Sequence, residues 1–494
     1  MRNRSLLSDH LPVTRGGAFA LLAILGLAIV LRIFKLDAAL WFDEIATLLN
    51  FVRLPFGELL TSYDSLNNHM FFSIQAKAVV AAFGESAWAL RLPAVVLGVA
   101  SIWALWRLAL QFSSQNVALF SALLMTVSYH HVWFSQNARG YTGLLFFGLL
   151  ATAFLIRAVQ RPSQSDWMWY MACLVLATYT HLSAAFFFLA QGVAWLTLSA
   201  IWVAKGRELP PGWVKFPSVA TGVALVALAL LYAPVMGQMF ETFGGVQQGT
   251  GSEIKAASIA AWKNPLWTLT EVARSMGPFL APALPVVLII IAVSAWNMRG
   301  AALIIPMTFL LHIVLTIVIL RYTSFRIWPR YFFVDLGFIC LFLVHGTYVI
   351  AGWAQARFAS LPSNLGGILV ACGMMASLVL LPANYRHAKQ DFAGGLAYIN
   401  ANAGENDQVM ALGLTAMAYV DYLAPHWLDI QSQDDFDRLN DPGSPTWIVY
   451  SFVPVIERRF EGLLSKIEAD FEKVHYIHGT LSGGGIVILK SKSN

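Results

Sequence analysis

Asp43 and Glu44 are adjacent carboxylates that follow Trp41 and Phe42, just beyond the first long apolar run of the chain. A carboxylate at a wet membrane surface can act as a general base toward an acceptor hydroxyl or amine. Its oxygens can also help to hold a divalent metal ion. Neighbouring residues on a helix diverge by about 100°, so the pair is expected to divide its work, one facing a cavity and one fixing a backbone group or an arginine. The plain alternative is a solvated helix end. A second set is cationic: Arg321, Arg326 and Arg330 share one short segment with no acid between them, and Arg139 follows another apolar run. A planar guanidinium grips a phosphate through two hydrogen bonds. The competing roles are pairing with lipid headgroups or with Asp43, Glu44 and Asp335. His69, His130, His131 and His181 can supply a base or a metal ligand. Their spacing forms no recognised zinc motif, and a single histidine at a helix end is more often a structural hydrogen-bonder. His69, nearest the acids, is the candidate for a metal or acceptor contact.

The elements that position these residues are membrane helices. Of 494 residues 58% are hydrophobic and 12% charged, against about a quarter charged in soluble domains. This composition implies a polytopic α-helical membrane protein. Lys plus Arg exceed Asp plus Glu by 32 − 27 = 5, and no long basic run suggests nucleic acid as a partner. Cys173, Cys340 and Cys372 lie in apolar runs, with no disulfide or Cys-x-x-Cys pattern. The first apolar run lacks a small-residue cleavage site and reads as a retained helix. About eleven spans of roughly 20 residues are expected. Lys or Arg recur in the short loops of one side, which sets the N-terminus in the cytoplasm and the site residues on the outer face. Residues 37–87 do not form one span, and Phe71–Phe83 is apolar but too short to cross. The glycine-rich connection 237–277, with Trp262 and Trp267, reads equally as a mobile lid or an ordinary long loop.

From Asn384 the composition becomes that of a soluble domain. Strands are expected at Gln408–Leu412, Trp447–Phe452 and Ile486–Leu489. Helices are expected at Asp391–Ala401, Ala416–Leu423 and Val455–Phe471. The alternation predicts a small extracytoplasmic α/β domain at 384–494 behind a transmembrane domain at 1–383.

Several short stretches resemble the bacterial membrane glycosyltransferases of the C-type fold. The likeness is to the family 39-like branch that includes dolichyl-phosphate-mannose protein mannosyltransferases and lipid A aminoarabinose transferases. Leu40-Trp41-Phe42-Asp43-Glu44 is similar to the acidic motif of their first outer loop. Phe83 to Pro93 is similar to the entry of their second helix, Phe134 to Tyr141 to the turn between the third and fourth, and Pro329-Arg330-Tyr331-Phe332 to a late Arg-Tyr element. The likeness covers roughly residues 17–350. It implies an inverting transfer from a polyprenyl-phosphate sugar to a glycan, lipid or protein acceptor, at the outer face of a bacterial inner membrane. By the same resemblance Asp43 matches the catalytic base, with Glu44 its partner, and Arg139 and Arg330 hold the donor phosphate with Tyr331 beside it. Arg321 and Arg326 remain phosphate candidates from their chemistry. Where relatives carry His-Pro-Pro-Leu this chain has His69-Met70-Phe71-Phe72, so no role for His69 passes across, nor does metal dependence. No cofactor is expected with certainty, a divalent metal ion being the candidate.

The competing reading is a transporter or flippase for a lipid-linked glycan. It predicts charged or broken helices at mid-membrane and an internal repeat. The sequence shows no clear repeat, its spans read as almost free of internal charge, and its polar chemistry gathers at helix ends.

Overall fold

The structure is a computed structural model that describes residues 13–63, 65–248, 281–323, 325, 327–441, 443–481 and 484–492. The chain forms two compact units, neither continuous in sequence. The first combines Met1–Phe34, His69–Gln75 and Arg91–Leu381, and the second Lys35–Asn68, Ala76–Leu90 and Pro382–Asn494.

Among the described residues eight helices are long and apolar enough to cross a membrane, or nine if the bent pair Gln115–Val127 and Tyr129–Ser135 is one span. At 1.5 Å per residue, about 20 residues cover a core of about 30 Å. The chain is therefore a multi-pass membrane protein. Two of the eleven expected spans appear as shorter helices, Gln164–Thr180 with 17 residues and Leu284–Asn297 with 14. Met70–Phe83 is a 14-residue apolar helix. Large apolar side chains such as Phe19, Leu22, Leu225, Leu230 and Val318 stay exposed. In water so wide an apolar surface would aggregate, whereas lipid covers it. The opposite faces bury Leu144, Leu145, Ile156, Phe187, Phe338 and Phe342 in one core. A β-carbon on Gly346 would lie 2.2 Å from the carbonyl oxygen of Ile290. Only glycine therefore lets Leu336–Arg357 approach Leu284–Asn297 so closely, as small residues do between membrane helices.

The described helices depart from simple straight spans in three places. The third span is not straight but bends by 63°, with Ser128 extended between its halves. Residues 237–248, expected in the connection, are helical: after a 3-10 turn that admits Pro234 in its first positions, Met236–Gln248 carries the helix on. The rest of that connection, with Gly249, Gly251, Trp262, Pro265 and Trp267, lies outside the described residues. The late Arg-Tyr element forms a 3-10 turn, Pro329–Asp335, ahead of Leu336–Arg357.

The second unit contains a five-stranded sheet in the order β2-β1-β3-β5-β4. The strands are β1 (Gln408–Leu412), β2 (Leu428–Ile430), β3 (Thr446–Tyr450), β4 (Phe471–Ile477) and β5 (Ile486–Ser491). β1 pairs parallel with β2 and β3, and β5 runs antiparallel between β3 and β4. The inner strands β1, β3 and β5 are apolar runs, as two covered faces require. Met410, Leu412, Ile448, Ile467 and Val487 form the core with Phe436 and Phe460. The expected helix Val455–Phe471 is two, Val453–Arg459 and Glu461–Asp470.

Candidate active site

The acidic segment lies in the second unit. Its helix, Phe42–Thr47, has six residues, far below the 12 or more an isolated helix needs in water, so caps must hold it. The Trp41 N–H donates to Glu44 Oε2 at 3.3 Å, the returning arm of a capping box. The Phe42 N–H, another of the donors a helix start leaves unpaired, donates to Gln390 Oε1 at 3.2 Å. Asn67 Nδ2 and Thr47 Oγ1 both donate to the Asp43 carbonyl, at 3.2 and 2.7 Å. Past the wider turn Leu48–Val52, Lys77 Nζ donates to the carbonyls of Val52 and Leu54 at 3.1 and 2.5 Å. Arg53 grips Glu85 with two bonds of 2.8 and 3.0 Å. Glu44 is fully buried, whereas Asp43 keeps part of its surface accessible. The two acids thus separate: Glu44 fixes backbone, and Asp43 presents a carboxylate.

The cationic residues assemble in the first unit, from four distant stretches. Arg139, 2% exposed, ends the turn between Tyr129–Ser135 and Tyr141–Gln160. Its Nη2 lies 3.1 Å from His69 Nε2. The Gly140 N–H donates to His69 Nδ1 at 2.7 Å. A neutral imidazole has one acceptor nitrogen, so the Arg139 and Gly140 contacts compete for it. Arg139 Nε is buried and has no hydrogen-bond partner among the described residues. The His181 ring lies 4.4 Å from that of His69, 5.0 Å from that of Tyr141 and 6.4 Å from that of Tyr331. Arg330 reaches the same place electrostatically. Burial, then the charges of Arg139, His181 and Arg330, hold His69 well below the usual histidine range. Burial, then Arg139 and Arg330, push His181 down to about 3. The guanidinium of Arg330 also stacks 4.7 Å from the Trp328 ring. The outcome is two guanidiniums beside two imidazoles kept neutral, with tyrosines at the edge. Such a site concentrates positive charge in a partly buried setting and suits an anion that accepts several hydrogen bonds.

Arg321 is exposed at the end of Ile304–Tyr322, and Arg326 lies outside the described residues. His130 is exposed. Among the described residues no three His, Cys, Asp or Glu side chains gather as a metal site.

Two buried polar clusters escaped the sequence reading and correct the view that the spans are almost free of charge. Arg32 is fully buried. It donates to Ser135 Oγ at 3.2 Å, Ala28 O at 3.0 Å and Thr126 O at 3.3 Å, and lies 2.5 Å from His131 Nδ1. His131 Nε2 is 2.9 Å from Ser101 Oγ. This network pins the bend that leads to Arg139, and its signal in the sequence was a single arginine inside an apolar run. His312 Nδ1 meets Asp335 Oδ2 at 2.7 Å, both buried. Asp335 therefore pairs with a histidine, not with the arginines proposed as its partners.

Residues 70–237 match the family described as dolichyl-phosphate-mannose-protein mannosyltransferase. No curated protein matches the chain by sequence. Among solved structures the chain is similar to ArnT from Cupriavidus metallidurans bound to undecaprenyl phosphate, with TM-score 0.55 and 13% identity over 97% of this chain and 98% of that one. It is similar to apo ArnT from the same organism, with TM-score 0.53 and 14% identity over 96% and 98%. It also resembles the oligosaccharyltransferase AglB from Archaeoglobus fulgidus, in complex with an inhibitory peptide and a dolichol-phosphate, with TM-score 0.54 and 10% identity over 92% and 71%.

Proposed function

We propose that this chain is a membrane glycosyltransferase of the C-type fold, similar to the protein mannosyltransferase branch, that Asp43 is its catalytic base, and that Arg139 and Arg330 hold the phosphate of its polyprenyl-phosphate sugar donor. The acceptor is a glycan, lipid or protein, met at the outer face of a bacterial inner membrane.

In this reading the Asp43 carboxylate takes the proton of an acceptor hydroxyl or amine. The freed oxygen or nitrogen bonds to the anomeric carbon, and the bond from that carbon to the phosphate oxygen breaks. One displacement inverts the configuration, and polyprenyl phosphate leaves with an added negative charge. Donors fixed in advance stabilise that charge without reorganising, which is the role given to Arg139 and Arg330. His69 and His181, held neutral, add no competing charge, and Tyr331 borders the phosphate. Glu44 acts through the backbone it holds. Arg321 and Arg326 are given the lesser role of attracting the lipid phosphate to the membrane surface.

The observation that carries this reading is the convergence of Arg139 and Arg330 on His69 and His181. The test is sugar transfer in membranes carrying wild type or Asp43→Asn, with undecaprenyl-phosphate-linked mannose and aminoarabinose as donors. Asn keeps the shape and removes the base, so the rate should drop about 100-fold or more. An expressed, folded Asp43→Asn with wild-type activity would exclude Asp43 as the base.

A further inference from the structure

We propose that the C-terminal domain is a working part of the catalytic apparatus, with Gln390 as the positioning residue that holds the Asp43 helix at the angle catalysis needs. This rests on the assignment of Asp43 as base.

Gln390 is 1% exposed and bridges two elements of the second unit. Its Oε1 accepts from the Phe42 N–H at 3.2 Å, and its Nε2 donates to Ser451 Oγ at 3.3 Å. Ser451 is anchored in turn, its N–H donating to Thr415 Oγ1 at 2.8 Å. The next residue, Phe452, takes φ +59°, a left-handed conformation rare for a bulky side chain. Its ring meets that of Phe42 edge-on at 5.0 Å. Lys389 Nζ lies 5.9 Å from the Trp41 ring. Gln390, Phe452 and Lys389 each act on Trp41 or Phe42, the two positions immediately before Asp43.

The physical need for such a clamp is clear. The helical stretch 42–52, six α residues running into a wider turn, is too short to hold its own direction. Glu44 satisfies one start donor from within, and Gln390 is the side chain from outside the segment that satisfies another. Backbone strain persists only where surroundings impose it, and at Phe452 the result is a ring set against Phe42. Misplacing a catalytic group by about 1 Å can slow a reaction about 100-fold.

The experiment compares wild type, Gln390→Leu, Gln390→Glu and Ser451→Ala in purified full-length protein reconstituted in vesicles with acceptor membranes. Maximal rate and half-saturating donor concentration are measured with the same two undecaprenyl-phosphate sugars, and binding of undecaprenyl phosphate is measured separately. Gln390→Leu should lower the maximal rate about tenfold or more, with half-saturation and lipid-phosphate binding unchanged. Gln390→Glu, which still accepts from the Phe42 N–H, should recover most of that rate. Ser451→Ala should fall between, and it decides the matter if Gln390→Leu does not fold. Wild-type maximal rates in both Gln390→Leu and Ser451→Ala would overturn the proposal. So would a parallel loss of rate and lipid-phosphate binding, the mark of general destabilisation. The assignment of Asp43 fails separately, if Asp43→Asn transfers sugar at the wild-type rate.

Discussion

At the residue scale, the adjacent acids Asp43 and Glu44 show how one turn of helix divides labour: the buried one caps, and the partly accessible one is the proposed base. The cationic residues divide theirs as well. Arg139→Lys and Arg330→Lys keep the charge but lose the planar fork. Each should raise the half-saturating donor concentration about 10-fold or more, corresponding to about 1.5–3 kcal/mol for a hydrogen bond to a charged group, with a smaller effect on maximal rate. The histidines yield a pH prediction. An unfolded chain protonates His181 near 6.5, whereas the folded protein does so at about 3. Between those values the unfolded state binds more protons, so stability falls as pH drops through that window, by about 1.4 kcal/mol per pH unit at most for this one group. His69 contributes in the same sense. His181→Gln should flatten the acid limb of thermal unfolding in detergent, and an unchanged limb would exclude this assignment.

At the element scale, packing rather than propensity sets the geometry. A β-carbon on Gly140 would lie 2.6 Å from Thr180 Cγ2 and 3.0 Å from His69 Nδ1. Gly140→Ala should therefore cost about 1–3 kcal/mol and weaken donor binding by displacing the Arg139 turn, read by unfolding and by lipid-phosphate titration. His312→Leu leaves Asp335 in an apolar core without its histidine and should cost about 3–5 kcal/mol. Adding Asp335→Leu should restore part of that loss, and additive losses would show that the pair is not coupled. The same scale explains what was legible in advance. Long apolar runs announced the helices, and β1, β3 and β5 were visible as apolar runs between turn residues. β2 has three residues, too few for a pattern, and in β4 the adjacent charges Glu472 and Lys473 break the alternation, while its first residue, Phe471, fell in the expected helix. Arg139 and Arg330 stood out because arginine after an apolar run demands a reason. The convergence of His69 and His181 upon them did not, because no spacing links residues 69, 139, 181 and 330. Gln390 was invisible for the same reason: a glutamine in a soluble-looking tail carries no signal until the fold brings it to Phe42.

At the scale of the whole molecule, the second unit is assembled from three separate stretches of chain, Lys35–Asn68 and Ala76–Leu90 joining Pro382–Asn494. A chain truncated after Arg386 should still insert its helices, yet show no transfer and become sensitive to protease within residues 35–63, measured by limited proteolysis of membranes beside the full-length protein. A truncated chain with the full-length cleavage pattern would show that the segment is held without the tail. There is also a consequence in time. Phe42 and Gln390 are separated by 348 residues, and ribosomes add about 5–20 residues per second. The Asp43 helix must therefore wait roughly 20 to 70 seconds after its own synthesis for the residue that steadies it. On the proposed role of Gln390, the acid and the arginines are all made before the clamp, which is completed only in the last fifth of translation.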